Sequence, residues 1–254
     1  MTNLLKASDY DVSKLEFEAP FGGNKKKSLQ YIKFPVYDGE KSPCIQLPPI
    51  ELDMYGIPSK CDYYKEEYQR MFVKLPLNQG LPEIQNLTKF FREIDKRGAE
   101  EYKSCLTVPN LSKYTYQPII REPQNADGTP NEERHPYIKL KLLLRYPSNE
   151  IETAVIEQKD GKRMYRETPT LEAFEKFFQI RSKITCIIAP VKLWMHPPTA
   201  SDCMYGVAFK LVKVLVELPV SRLIGESKNN PDFDFLEDDV EEQVVKTTKN
   251  KTEK

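Results

Sequence analysis

The chain has 254 residues and carries 38 lysines and arginines against 38 aspartates and glutamates, with 39% apolar residues, 20 prolines, 5 cysteines and 2 histidines. That length suffices for a real core, while apolar runs such as Thr185–Val191 are far too short to cross a bilayer and no basic-then-apolar leader opens the chain, so neither a membrane segment nor a signal peptide is expected. Cysteines without a Cys-x-x-Cys pair and so few histidines speak against a disulfide framework or a zinc module, and for a soluble protein of a reducing compartment.

In chain order, residues 1–28 are polar and end in Gly22-Gly23-Asn24-Lys25-Lys26-Lys27, which predicts a flexible arm with a basic spot. Leu29–Tyr37 reads as a strand closed by the turn Asp38-Gly39, and Pro43–Pro58 as a proline-interrupted edge strand plus loop. Tyr63–Tyr68 suits a short helix and Arg70–Leu75 a strand. In Pro82–Tyr102 the residues Ile84, Leu87, Phe91 and Ile94 recur at helical spacing behind a proline that fits a first turn. Residues 104–135 read as loop. Tyr137–Tyr146 is the clearest strand. Ile151–Gln158 and Lys162–Glu167 flank Lys159-Asp160-Gly161 as a hairpin. Thr168-Pro169 is expected to cap a short helix presenting Leu171, Phe174 and Phe178. Two long strands follow, Ile184–Trp194 and Tyr205–Glu217. Many strands, few helices and long loops predict a β-rich α+β fold, a barrel or sandwich with helices added.

Zero net charge hides an asymmetry. Seven acids and no base lie between Asp232 and Glu242, so the remaining chain carries a net excess of seven positive charges. Phe233, Phe235 and Leu236 are interleaved with acids that include Asp238 and Asp239, a pattern suited to a disordered docking tail over residues 219–254.

Alternate residues of a strand share a face. Tyr137, Lys139, Lys141 and Arg145 then lie opposite Ile138, Leu140, Leu142 and Leu144; Tyr31, Lys33 and Tyr37 opposite Ile32, Phe34 and Val36; and Arg70, Phe72 and Lys74 opposite Met71, Val73 and Leu75. Aromatic rings can replace the stacking that unpaired bases lose, at about 1–3 kcal/mol per base, while Lys and Arg follow phosphates. The hairpin tip adds Arg163 and Arg166 as a basic finger. An RNA strand fits the same pattern, since neither interaction reads the 2′-OH. Half-exposed sheets in general carry Lys and Tyr on the wet face, so a scaffold or protein-interaction factor without nucleic-acid binding is the alternative.

The chain has no phosphate-binding glycine loop, dinucleotide turn or serine elbow. His135 and His196 have no metal-ligand partner at the required spacing and read as loop residues; Cys186 reads as core, Cys44 and Cys203 as loop cysteines, and Trp194, which can stack on a base or fill the core, reads as core because it follows a very apolar strand. No enzymatic activity, cofactor or metal is expected.

Three blocks resemble the single-stranded DNA-binding proteins of large eukaryotic double-stranded DNA viruses, of the poxvirus and African swine fever virus type. They are Gln30-Tyr31-Ile32-Lys33-Phe34 with Cys44-Ile45-Gln46-Leu47; Phe72-Val73-Lys74 with the following helix; and Tyr137-Ile138-Lys139-Leu140-Lys141-Leu142 through Leu171–Phe178 to Ile187–Lys192 and Val207–Leu211. The acidic tail is also similar to that of the poxvirus member. The resemblance implies an OB-fold-like barrel over residues 29–218, non-sequence-specific coating of single strands during viral DNA replication, recombination or repair, and self-association on DNA. It further implies recruitment of replication proteins through the tail, and action inside the host cell at the virus replication site.

Overall fold

A computed structural model describes residues 3–18, 32–105, 113–125, 127–197 and 203–219. In chain order these form β1 (Leu4–Lys6), a 3-10 turn (Val12–Lys14), β2 (Leu15–Glu18), β3 (Ile32–Tyr37), β4 (Glu40–Lys41), β5 (Cys44–Gln46), β6 (Ile50–Glu51), a second 3-10 turn (Glu67–Arg70), β7 (Phe72–Pro76) and α1 (Pro82–Cys105). Then follow β8 (Thr115–Tyr116), β9 (Ile120–Arg121), β10 (Tyr137–Leu142), β11 (Ala154–Lys159), β12 (Lys162–Arg166), α2 (Leu171–Glu175), β13 (Lys183–Met195) and β14 (Met204–Glu217). The fold is strand-rich with few helices, as expected from the sequence. Its sheet is open and mixed and runs β1-β5-β13-β14-β10-β7, with β11 and β12 continuing from β14, an arrangement consistent with a β-rich OB-like architecture.

The long antiparallel pair β13 and β14 is the spine. Its inner face carries Ile184, Cys186, Ile188, Leu193 and Met195 from β13 and Tyr205, Val207, Phe209, Leu211, Val214 and Val216 from β14, all buried. Both strands contain a bulge. Pro190 pairs with Phe209 and Lys192 with Ala208, so Val191 is left without a partner; likewise Ile187 pairs with Lys213 and Ile188 with Leu211, which skips Val212. Each extra residue switches the inward set from one parity to the other. The core therefore changes from Ile188 and Pro190 to Leu193 and Met195, while Lys192 and Trp194 turn outward.

The helix α1 packs Ile84, Leu87, Phe91 and Ile94 against this inner face, with the Phe91 ring edge-on to Phe209 at 5.7 Å. Gly98 permits the close approach, because a Cβ there would lie 2.7 Å from Val207 Cγ2. In β10, Ile138, Leu140 and Leu142 face inward as their period-2 spacing predicts. Asp160 and Gly161 both take positive φ at the β11–β12 turn, which is what a tight two-residue hairpin requires.

Several expectations change. Residues 3–18 are part of the fold rather than a loose arm: β1 pairs with β5, β2 pairs with β3, and Tyr10, Val12, Leu15 and Phe17 are buried. The short helix expected over Tyr63–Tyr68 forms only at its end, where a 3-10 turn runs from Glu67 to Arg70. Thr170, not Thr168, caps α2, its hydroxyl accepting from the Ala173 N–H at 3.3 Å. Within the loop-like 104–135 segment, β8 pairs with β14 and β9 with β10. Cys44 lies in a strand, and the Cys186 thiol is pushed up to about 12 by burial, which makes it inert core. The tail residues Phe233, Phe235, Asp238 and Asp239 lie outside the described residues.

Candidate nucleic-acid interface

The outward face of the sheet follows from register. Trp194 stands opposite Gly206 and Lys192 opposite Ala208; Lys141 pairs with Lys210 across β10 and β14, and with Phe72 across β10 and β7; Lys139 pairs with Lys74, and Tyr137 with Pro76. Of these, Lys74, Tyr137, Lys139, Lys141, Lys192, Trp194 and Ala208 line a groove of about 1140 Å³. Its other walls come from Tyr63 and Tyr64 in the loop before β7, from Ile32 of β3, from His196, and from Gln117, Ile119, Arg121 and Gln124.

Lys74, Arg121, Lys139, Lys141 and Lys192 supply the lining with five cationic side chains, and among the described residues it contains no Asp or Glu. Like charges placed directly opposite on neighbouring strands repel, and here two lysine pairs are so placed. Burial draws the Lys192 ammonium below the ordinary lysine range, with Lys141 and Lys210 adding repulsion. Lys139 is exposed along its chain, but its ammonium lies over the Phe72 ring at 3.7 Å from the centroid. Desolvation there, followed by repulsion from Lys141, Lys74 and Arg121, holds its pKa down to about 8. Lys74 sits over the Tyr137 ring at 4.7 Å, and burial lowers its pKa as well.

Rings alternate with these bases. Tyr63 is 79% exposed and meets Tyr64 edge-on at 4.7 Å. Tyr137 packs on Tyr55 at 4.9 Å, and the half-buried Trp194 lies 5.0 Å from His196. Gly206 beneath Trp194 is required because a Cβ would fall 2.7 Å from the Gln117 carbonyl oxygen.

The Arg121 wall is tethered from behind. Asp95 on α1 accepts from the Tyr116 hydroxyl at 2.7 Å and from the Ile119 N–H at 2.9 Å. Burial raises its carboxyl to about 6 despite these bonds and the nearby Arg121.

Of the residues expected to bind, Lys74, Tyr137, Lys139 and Lys141 come together in this groove. Arg163 lies on the same sheet face, paired with Gln158 in register. The others are elsewhere. Phe72 belongs to the face by parity, but Tyr64 and the Lys139 chain cover it, so its ring is buried and not available to a base. Lys33 pairs in register with the core residue Leu193, turns inward and meets Glu101 at 3.7 Å, whereas Ile32 takes the groove side opposite Trp194. Tyr37 packs on Tyr10 at 4.5 Å, its hydroxyl accepting from the Asp11 N–H. Arg70 is held by Glu175 and by the Pro58 carbonyl. Arg145 lies beyond the end of β10 and pairs with Glu150 and Glu152. Arg166 pairs in register with the core residue Val155 and is neutralised by Glu157 at 2.7 Å. Tyr31 lies outside the described residues.

Sequence reasoning missed Lys192, Trp194, Arg121, Tyr63 and Tyr64. The i, i+2 spacing of Lys192 and Trp194 was a usable signal; the bulge at Val191, which sets the face, was not visible. His196, a loop residue as expected, is part of the lining, while His135 stands beside Asp53 at 3.1 Å. No cluster of three or more potential metal ligands occurs among the described residues.

No protein-family model matches the chain. A curated relative, uncharacterized protein R505 of Acanthamoeba polyphaga mimivirus, is 24% identical over 236 residues, covering 81% of this chain and 58% of that protein. The chain thus spans 58% of the length of the curated relative it matches. Among solved structures it is similar to the single-stranded DNA-binding protein from bacteriophage Enc34 in complex with ssDNA, at 16% identity and a TM-score of 0.34, over 57% of this chain and 68% of that one. It is also similar to gp2.5, a single-stranded DNA-binding protein encoded by bacteriophage T7, at 16% identity and a TM-score of 0.34, over 73% of this chain and 97% of that one.

Proposed function

We propose that the groove binds single-stranded nucleic acid, DNA above all, without reading its sequence and without covalent chemistry. The carrying observation is the pair of opposed lysine couples, Lys74–Lys139 in the groove and Lys141–Lys210 at its margin, set beside aromatic rings on a lining that has no acid among the described residues. A cluster of this kind repels itself in the free protein, and a phosphate chain relieves it. The rings give a polyanion with unstacked bases an advantage over a duplex, whose bases are already stacked. Neither stacking nor phosphate contact distinguishes one base from another.

The resemblance read from the sequence extends this to coating of replication, recombination or repair intermediates at a virus replication site inside the host cell. On that reading the acidic tail recruits replication proteins, and copies associate along the strand.

The chain's single tryptophan is Trp194, so its intrinsic fluorescence reports on the groove directly. Titration with oligothymidylate should change Trp194 emission, and affinity should fall as salt rises, because bound phosphates release counterions. Absence of binding, or affinity indifferent to salt, would overturn the proposal.

A further inference from the structure

The groove is one end of a longer surface. Beyond Lys210 the outward positions of β14 are Lys213 and Leu215, by the parity that the skipped Val212 imposes. Lys213 pairs in register with Ala154 of β11 and Leu215 with Ile156. Ile156 in turn pairs with Tyr165 of β12, and Gln158 with Arg163. Lys210, Lys213, Tyr165 and Arg163 therefore share the sheet face that carries Lys141, Lys192 and Trp194.

These groups are available. Tyr165 is 64% exposed, Lys213 and Arg163 are exposed, and Ile156 and Leu215 form a half-buried apolar floor between them. Among the described residues Arg163 donates to the neutral Gln158 amide, at 3.3 Å, which does not cancel its charge. Glu217, which accepts from the Gln158 side chain at 3.1 Å, marks the far end, and Glu167 and Asp160 lie exposed just past β12 and at the hairpin turn. Arg166, one residue on from Tyr165, points to the opposite face and is paired with Glu157.

We infer that a bound single strand continues out of the groove over β14 and β11 to the β12 edge. There a second subsite, with Tyr165 stacking on a base and Lys213 and Arg163 on phosphates, engages only ligands longer than the groove itself. This rests on the single-strand reading of the groove. The occupant is the same polyanion: the cationic row is continuous through Lys141, Lys210 and Lys213, and the ring is again flanked by bases, the combination that suits unpaired nucleotides rather than a protein or a duplex.

The test compares two oligothymidylates, of about 5 and about 16 nucleotides, spanning the site sizes of single oligonucleotide-binding folds. Wild type, the double variant Tyr165→Ala/Lys213→Ala, Arg166→Ala and Trp194→Ala are titrated at two salt concentrations. The double variant should lose about tenfold or more in affinity for the long oligomer, with a salt slope lower by about one phosphate contact, and bind the short one as wild type does. Arg166→Ala should bind both as wild type, and Trp194→Ala should weaken both. Unchanged affinity of the double variant for the long oligomer overturns the second subsite and leaves the groove standing. Equal weakening for both lengths overturns it too, since the hairpin would then belong to the groove. Wild type that binds neither oligomer overturns the groove reading itself.

Discussion

Lys139 stands directly opposite Lys74 across the β7–β10 ladder, with its ammonium over the Phe72 ring, and it has no carboxylate partner among the described residues. Its depressed pKa of about 8 makes binding pH-linked. A phosphate favours the charged form, so DNA binding draws a proton onto Lys139 and affinity falls as pH rises through about 8. Titrations between about pH 7 and pH 9 should show this loss in wild type, and a much flatter profile with weaker binding throughout in Lys139→Gln. An unchanged profile in the variant would assign the dependence to another group.

The same shift acts on stability with opposite sense. A lysine whose folded pKa is lowered makes its contribution above the unfolded value near 10.5 and loses it as pH falls through about 8. At neutral pH the charged Lys139 therefore weakens the free protein. Lys139→Met should melt higher than wild type at pH 7 without ligand while binding DNA more weakly.

Trp194→Ala should cost about 1–3 kcal/mol of DNA affinity, the worth of one stacked base, with Trp194→Phe recovering part of it. The indole is half-buried on the groove side, so the folded state should tolerate the change. Gly206→Ala behaves differently: its Cβ would lie 2.7 Å from the Gln117 carbonyl, and overpacking of this kind costs about 1–3 kcal/mol of stability. Chemical denaturation separates the two.

Asp95 links helix and groove wall. Its raised folded pKa, about 6, means that its contribution is full below the unfolded value near 3.8 and is lost as pH rises through about 6. Asp95→Asn keeps an acceptor for Tyr116 and Ile119 and should flatten stability across that window. Asp95→Ala strands both donors and should cost about 1–3 kcal/mol, with a loss of DNA affinity through the loosened Arg121 strand.

Removal of residues 231–254 takes away the seven-acid block between Asp232 and Glu242, together with Glu253 and four lysines. If those acids compete with phosphates for the groove, the truncated chain should bind oligothymidylate more tightly at low salt, with the difference shrinking at high salt. Equal affinities would assign the tail to partners alone.

How much of this was legible in the sequence depended on whether one face of an element was purely apolar. In β10 and α1 it was, and Ile138, Leu140, Leu142 and the Ile84–Ile94 stripe fall where their spacing puts them. In β3 it was not: apolar side chains alternate with Lys33 and Tyr37, yet both of these turn inward, Lys33 to a carboxylate on α1 and Tyr37 to Tyr10. Phe72 had the right parity and the wrong accessibility, because the loop carrying Tyr64 covers it, a contact without a local signature. Arg163 and Arg166 look equivalent in the sequence, and the hairpin register separates them. Arg121 sits in a proline-rich stretch without periodicity, and its position depends on long-range pairing with Tyr137.

The bulge at Val191 has a consequence for how such a chain can change over time. Deleting that one residue would set Lys192 directly after Pro190, as Ala208 adjoins Phe209 on β14, so the pairing would become regular while Leu193 and Met195 kept facing inward and the indole and ammonium outward. A single-codon loss at this place would straighten the central strand and leave its two faces as they are, so the spare residue is a position where the chain can shorten without exchanging inside for outside.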